Sequence, residues 1–355
     1  IDASVIYSDG YDEYRVILDK YFKYDQHIYE NIHNIKNKIN NPRDLELYSK
    51  EIKNLEKEIT LFHAKAINEI IENFKGNIDL IGFHGQTIFH NANKKISKQL
   101  GNASLLSQLV KKNIIYNFRE NDLNNGGQGA PLAPIFHNLL AKKFKVLPST
   151  FLNLGGIANI TSINEDNSFS ASDVGPGMCL IDEWIRSNSE YRYDKNGQIS
   201  KSGQVDKLIL EKALGDINKY FYNKKKNNLQ RPTKSESFDT KDFNLAFVRG
   251  LSLADGAATL TEYTAQNIIL KLLTYDVDNH DVILCGGGRK NKFLTDILKK
   301  KISIKFIDEY GIDGDFIESQ AFGYLAIRSF LKLEISFPET TGVIKPCLGG
   351  VIIKS

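Results

Sequence analysis

The segments Ala3 to Tyr7 and Tyr14 to Leu18 are short runs rich in apolar, β-branched and aromatic residues, and the polar turn Ser8-Asp9-Gly10 between them predicts a hairpin. From about Tyr29 to Phe74 the apolar spacing changes to three and four, with a break at Asn40-Asn41-Pro42, so a helical pair follows. The apolar run Ile78 to Phe83 reads as a buried strand that passes straight into the polar His84-Gly85-Gln86-Thr87, the kind of strand end where α/β proteins place ligands. A second such strand, Ile114 to Phe118, leads into Arg119-Glu120-Asn121-Asp122 and then the glycine-rich stretch Gly126 to Pro131.

Three closely spaced strand patterns follow, Phe151 to Leu154, Ile157 to Ile163 and Phe169 to Asp173, and then a helix from near Met178. Helical spacing returns at Gln204 to Leu214 and Ala246 to Leu273. A strand at Val282 to Cys285 enters Gly286-Gly287-Gly288, a helix starts at Asn291, and the last long helix covers about Ile317 to Leu331. Three strands and a helix, then strand and helix, is the order of a ribonuclease-H-like unit, visible clearly once and partly in the first half. We therefore expect an α/β protein of two domains, residues 1–127 with a C-terminal piece 332–355 and residues 128–331, with a cleft between them for a small molecule.

Composition narrows the function without deciding it. A chain of 355 residues with 41% hydrophobic and 25% charged residues and a net charge of +3 suits a folded enzyme, not a polyanion binder or a disordered tail. The densest basic run, Lys224-Lys225-Lys226, has no interleaved aromatics, so nucleic acid is not expected as a partner. Cys179, Cys285 and Cys347 are widely separated and form no metal or disulfide pattern, which suits reduced thiols in the cytoplasm. No apolar stretch reaches the roughly 18 residues of a membrane span, and no membrane partner is expected.

Several residues have the chemistry for a site. Gly155-Gly156 and Gly286-Gly287-Gly288 each follow a strand, where glycine either makes a tight turn or lets backbone N–H groups approach a phosphate. Ser172-Asp173-Val174-Gly175-Pro176-Gly177 sets a carboxylate beside a turn whose following helix start would offer free amides to an anion. Asp173 is there either a general base or a turn and capping residue. His84 reads as a ligand donor or a packed loop histidine, and the scattered remaining histidines argue against a metal. Gln86 and Thr87 offer neutral hydrogen bonds. Arg119 and Asp122 form either a clamp for a carboxylate and a hydroxyl or a surface ion pair, and Glu318 is at least a first-turn helix carboxylate.

Taken in order, these segments resemble the signature blocks of the anhydro-N-acetylmuramic acid kinases: His84 to Thr87, Asn117 to Arg119 with Asp122, Gly126 to Leu132, Asn153 to Asn159, Asp173 to Gly177 with Asp182 and Trp184, Tyr193 to Gly197, Thr259 to Ala265, Cys285 to Gly288 with Asn291, Glu318 to Phe322, and Thr341-Gly342 with Leu348 to Gly350. The resemblance covers nearly the whole chain. It implies the two-domain, actin-like ATPase fold and an ATP- and Mg2+-dependent kinase that opens 1,6-anhydro-N-acetylmuramic acid and phosphorylates O6, in peptidoglycan recycling. By the same resemblance Asp173 is the catalytic base. His84, Gly85, Gln86, Thr87, Arg119, Asp122 and Glu318 hold the sugar. Ile1, Asp2, Gly155, Gly156, Asn159, Gly175, Gly177 and Gly286 to Gly288 serve the nucleotide, with Asp2 reaching the metal through water, and a homodimer is suggested.

The family's first phosphate loop, approximately Gly-Thr-Ser-x-Asp-Gly, precedes an Ile-Asp or Val-Asp pair, and this sequence begins at that pair as Ile1-Asp2. We expect an N-terminally shortened form of a working kinase, with a non-catalytic sugar-binding relic as the alternative. The segment Arg231-Pro232-Thr233-Lys234-Ser235 resembles the family's Pro-Pro-Lys-Ser, while Glu236-Ser237-Phe238-Asp239 replaces the Thr-Gly-Arg-Glu expected after it.

Overall fold

The computed structural model describes residues 1–215, 240–275 and 280–355, so the 224–226 basic run and the 231–239 segment lie outside the described residues. The chain forms two compact units, Ile1–Leu139 with Glu318–Ser355, and Leu140–Ile317.

The first unit opens with the expected hairpin, β1 (Asp2–Ser8) against β2 (Tyr14–Tyr21). Its turn is closed by Asp9, whose carboxylate accepts from the Tyr11 and Glu13 amides. Helices Gln26–Lys38, Pro42–Leu47 and Ser49–Asn73 follow. Their break falls where the sequence puts it because Asn41 caps the short helix, Asp44 answers from its first turn, and Pro42 starts it without needing an N–H partner. Ile28, Ile32, Ile35 and Ile39 of the first helix pack on Ile52, Leu55 and Ile59 of the third.

Strand β3 (Leu80–Phe83) runs into β4 (Gln86–Asn91), which pairs with β5 (Ile96–Leu100). This second hairpin is missing from the sequence reading, where 84–87 is only a polar loop. In β4 only Ile88 is fully buried, too little apolar alternation to mark a strand. β6 (Asn113–Tyr116) lies parallel to β3 and antiparallel to β12 (Val351–Ile353), giving the order β12-β6-β3. Helix Ile317–Phe330 lies against β3. A Cβ on Gly82 would come within 2.7 Å of the Phe322 carbonyl oxygen, so glycine is what permits the approach.

In the second unit β7 (Ser149–Leu154), β8 (Ile157–Ile163) and β9 (Phe169–Pro176) form an antiparallel meander, and β10 (Asp281–Cys285) and β11 (Ile304–Phe306) add in parallel beside β7. The order β11-β10-β7-β8-β9 is that of a ribonuclease-H-like sheet, as the strand sequence predicts. Leu152, Leu154, Ile160 and Val174 of the sheet meet Ile268 and Leu272 of helix Leu253–Leu272 and Leu294 and Leu298 of helix Lys292–Lys299. The helix expected over Ala246 to Leu273 is in fact two pieces, a short 3-10 turn Ala246–Val248 and the helix from Leu253. Gly250 sits at φ 91° between them and Ser252 caps the second.

Among the described residues no helix is long and apolar enough to cross a membrane. Ile59 is fully buried at the centre of the helical pair. Ile59→Ala is expected to lower the unfolding free energy by about 2–5 kcal/mol in urea titration, through lost transfer energy and the cavity left behind.

Candidate functional site

In the first unit the parallel register Phe83↔Tyr116 brings the carboxyl ends of β3 and β6 side by side. His84 follows the first and Arg119 the second, so two residues far apart in sequence meet. Gly85 turns the chain at φ 72°, and a Cβ there would approach the Leu100 carbonyl oxygen at 2.3 Å, so this glycine is required by the hairpin itself. Arg119 donates to His84 Nε2 through its Nε at 3.2 Å and a terminal nitrogen at 2.9 Å, and to the Gly129 carbonyl at 2.8 Å. His84 Nδ1 contacts the Gly85 carbonyl at 3.0 Å. An imidazole that accepts at Nε2 carries its proton on Nδ1 and is neutral. Burial and then the Arg119 charge push its pKa down to about 3. His84 is therefore an acceptor that orients Arg119, and three of the five guanidinium N–H groups are engaged, leaving two.

The ring of Phe322 lies 4.1 Å from His84, centroid to centroid, and the Arg119 guanidinium is 5.9 Å from the same ring. Phe322 stands four residues after Glu318, so both share one face of the helix Ile317–Phe330. Glu318 is exposed, yet the protein crowded around it raises its pKa; Arg119 opposes this rise and Asp2 adds to it. Asp2 itself is exposed at the start of β1, where the Phe22 amide donates to the Ile1 carbonyl. Gln86 is exposed and Thr87 accepts from Gln99 at 3.3 Å.

Asp122 is 1% exposed, and its two oxygens accept from the Gly129 amide at 2.6 Å and the Thr341 hydroxyl at 2.5 Å. It thus ties the glycine-rich loop and the C-terminal segment together behind Arg119.

In the second unit, register aligns Cys285, Asn153, Asn159 and Asp173 in one row across β10, β7, β8 and β9, on one face of the sheet. Asp173 lies inside β9 and not at its end, because the strand continues through Gly175 to Pro176. The amides expected to be free at the following helix start are taken. Gly177 and Cys179 donate to the Gly156 carbonyl at 2.9 and 3.1 Å, and Met178 donates to the Gly155 carbonyl at 2.9 Å. The Gly155-Gly156 turn thereby caps helix Cys179–Asn188.

The glycines of the two turns divide into two kinds. Gly286 has φ 81°, and a Cβ there would meet Asn153 Oδ1 at 2.4 Å; one on Gly288 would meet Leu154 Cβ at 2.8 Å. The fold itself demands both. Among the described residues a Cβ on Gly287 would meet nothing within 4 Å and one on Gly156 nothing nearer than Thr240 Cγ2 at 3.8 Å, and both glycines are exposed. Among the described residues no close contact requires glycine at these two tips, a feature that would let a group from outside approach the backbone.

The chain as a whole matches a family model described as anhydro-N-acetylmuramic acid kinase, over residues 1–355. The chain belongs to that family. An anhydro-N-acetylmuramic acid kinase of Pelagibacter ubique (strain HTCC1062) is 51% identical to it over 366 residues, spanning 100% of this chain and 95% of the relative. One of Brucella canis (strain ATCC 23365 / NCTC 10854 / RM-666) is 36% identical over 315 residues, 85% of this chain and 81% of the relative. A solved ROK family protein from Streptococcus pneumoniae TIGR4, in complex with sucrose, aligns with 94% of this chain and 100% of its own at 10% identity and a TM-score of 0.35. The family makes this chain a phosphotransferase, as the ordered blocks imply.

Four residues that the structure packs against the candidate residues were given no role of their own from the sequence. Phe322 had a signal, its spacing of four from Glu318. Asn153 had a weaker one, as the single polar residue in Leu152-Asn153-Leu154. Thr341 stands in one of the resembling blocks, but nothing local pointed to its meeting Asp122 across 219 positions, and nothing pointed to the packing of Arg289 beside the glycines.

Burial also depresses His63 and His137 to about 4, as it does His84. All three lie in the first unit, and the unfolded chain protonates them near 6.5. Below that value the unfolded state binds more protons, so stability is full above about pH 6.5 and falls toward the folded pKa values, by about 1.4 kcal/mol per pH unit for each histidine. Urea midpoints should drop between pH 7 and pH 5, and the His137→Gln variant should show a shallower slope; a midpoint unchanged over that range would contradict the assignment.

Proposed function

We propose that this kinase uses ATP to open 1,6-anhydro-N-acetylmuramic acid and phosphorylate O6, giving N-acetylmuramic acid 6-phosphate in cytoplasmic peptidoglycan recycling. The observation that carries the reading is the pairing, at one sheet, of two exposed glycine tips that no close contact among the described residues requires with a carboxylate on the same sheet. Gly156 and Gly287 let the phosphates approach the backbone; Gly155, Gly286 and Gly288 hold those tips in place, and Gly175 and Gly177 shape the end of β9. Asn159, in register with Asp173, helps orient it.

Asp173 takes the proton of a water whose oxygen attacks the anomeric carbon. The bond from that carbon to the bridging oxygen breaks, and the freed O6 accepts the γ-phosphoryl group while ADP leaves. In the first unit Arg119, held by neutral His84, offers its two remaining N–H groups to the substrate carboxylate. Gln86 and Thr87 hydrogen-bond the sugar, Gly85 shapes the turn that presents them, and Glu318 accepts a hydroxyl. Asp122 acts as a positioning residue behind Arg119.

Among the described residues no group of three or more His, Cys, Asp or Glu is arranged to hold a metal ion. Mg2+ carried on the nucleotide keeps phosphate and water ligands and needs few carboxylates; exposed Asp2 at the start of β1 is the residue that would hold it through water. Held there, the ion would supply positive charge to offset that of the nucleotide phosphates.

The test is ADP release driven by the anhydro sugar. Asp173→Asn should lower kcat by about 10^2–10^4-fold with its circular dichroism unchanged. Arg119→Met should raise the KM for the sugar by about 10–100-fold while that for ATP stays put, the loss of a charge-assisted pair. An Asp173→Asn enzyme within a few-fold of the parent, or equal turnover with hexoses lacking the anhydro bridge, would overturn the proposal.

A further inference from the structure

The turn at Gly286–Gly288 ends on a buried cation. Arg289, whose side chain is 5% exposed, follows the glycines inside the 3-10 turn Gly287–Lys290. Its Nε and one terminal nitrogen donate to the two oxygens of Asp308 at 2.7 and 2.9 Å, a two-pronged pair. The same guanidinium reaches Asp315 at 2.6 Å, Asp313 at 3.1 Å and the carbonyl of Gly286 at 3.2 Å. One side chain therefore joins the first glycine of the turn to three carboxylates of the 308–315 segment. Space for it depends on Gly314, where a Cβ would come within 2.5 Å of the guanidinium Nε. Burial works against the charge of Arg289, but the hydrogen bonds it donates to Asp308 and Asp315 outweigh it, so its pKa is raised. Lys290 pairs separately with Asp315 from the surface.

Gly287 needs such support more than its neighbours do. Among the described residues no atom lies within 4 Å of where its Cβ would stand, so its position is set through the residues that flank it. Gly288 is fixed by Leu154 and Met178, and Gly286 by Asn153, Leu154 and the Arg289 fork. We infer that Arg289 is a positioning residue for the nucleotide. Anchored on Asp308, Asp313 and Asp315 and bonded to the Gly286 carbonyl, it holds the Gly287 tip where the phosphates of ATP meet the backbone, without touching them. The inference rests on the nucleotide reading of this turn given above. A lysine cannot replace it, because an ammonium is a single point of charge with no planar fork for Asp308.

The experiment compares KM for ATP, KM for the anhydro sugar and thermal midpoint in Arg289→Lys, Asp308→Asn, Lys290→Met and Gly287→Val. We expect Arg289→Lys to raise the KM for ATP about tenfold or more. Asp308→Asn, which keeps the guanidinium and two of its carboxylates, should raise it several-fold. The sugar KM should stay unchanged in both, and Lys290→Met should match the parent. If Arg289→Lys does not fold, Asp308→Asn carries the test alone. A lowered midpoint with an unchanged KM for ATP in these variants makes the fork a stability device and overturns the inference. Gly287→Val separates the two levels. If it weakens ATP while the Arg289 and Asp308 variants do not, only the positioning role falls; if it too leaves ATP unaffected, the nucleotide reading of the turn falls and the inference with it.

Discussion

The parallel register of β10 against β7 is the constraint on which the second unit's chemistry depends. Pairing Cys285 with Asn153 ends both strands at the same edge of the sheet, so Gly286–Gly288 and Gly155-Gly156 emerge side by side. The same row continues through Asn159 to Asp173. A slip of one residue would turn Asn153 and Asp173 to the opposite face and drive Leu152 and Val174, both buried, toward the row's place. The hydrophobic core therefore enforces the register that brings the polar residues together, and packing and chemistry are set by one alignment.

The first unit repeats the logic with a different pair of strands. Phe83 opposite Tyr116 makes neighbours of His84 and Arg119. From there the order is maintained by a chain of neutral and charged contacts: the imidazole accepts from the guanidinium, Phe322 covers the ring, and Asp122 holds the loop whose Gly129 carbonyl receives the third bond. Because His84 is locked as an acceptor, it serves geometry and not proton transfer.

Much of this was legible in the sequence, where local pattern carried it. The hairpin at the start, the break at Pro42, the meander Phe151 to Asp173 and the glycines after Cys285 all show in residue type and spacing. The β4–β5 hairpin did not, because its strands bury almost nothing on one face. Nor did the saturation of the Gly177 to Cys179 amides, which follows from a carbonyl pair twenty residues earlier and not from the helix start itself. Contacts such as Asp122 with Thr341, or Arg289 with Asp308, depend on tertiary closure, and spacing has no means of announcing them. The family resemblance supplied roles for residues; the structure distinguishes Gly286 and Gly288, which the fold needs, from the tips Gly156 and Gly287, which meet no close atom among the described residues.

That distinction is the account's central claim, and amide chemical shifts read it most directly. In protein labelled with 15N-glycine, with resonances assigned by single Gly→Ala variants, titration with ADP and Mg2+ should shift the amides of Gly156 and Gly287 strongly, while Gly85 and Gly129 in the other unit stay in place. Binding of ADP by calorimetry with both tip amides unmoved would contradict it.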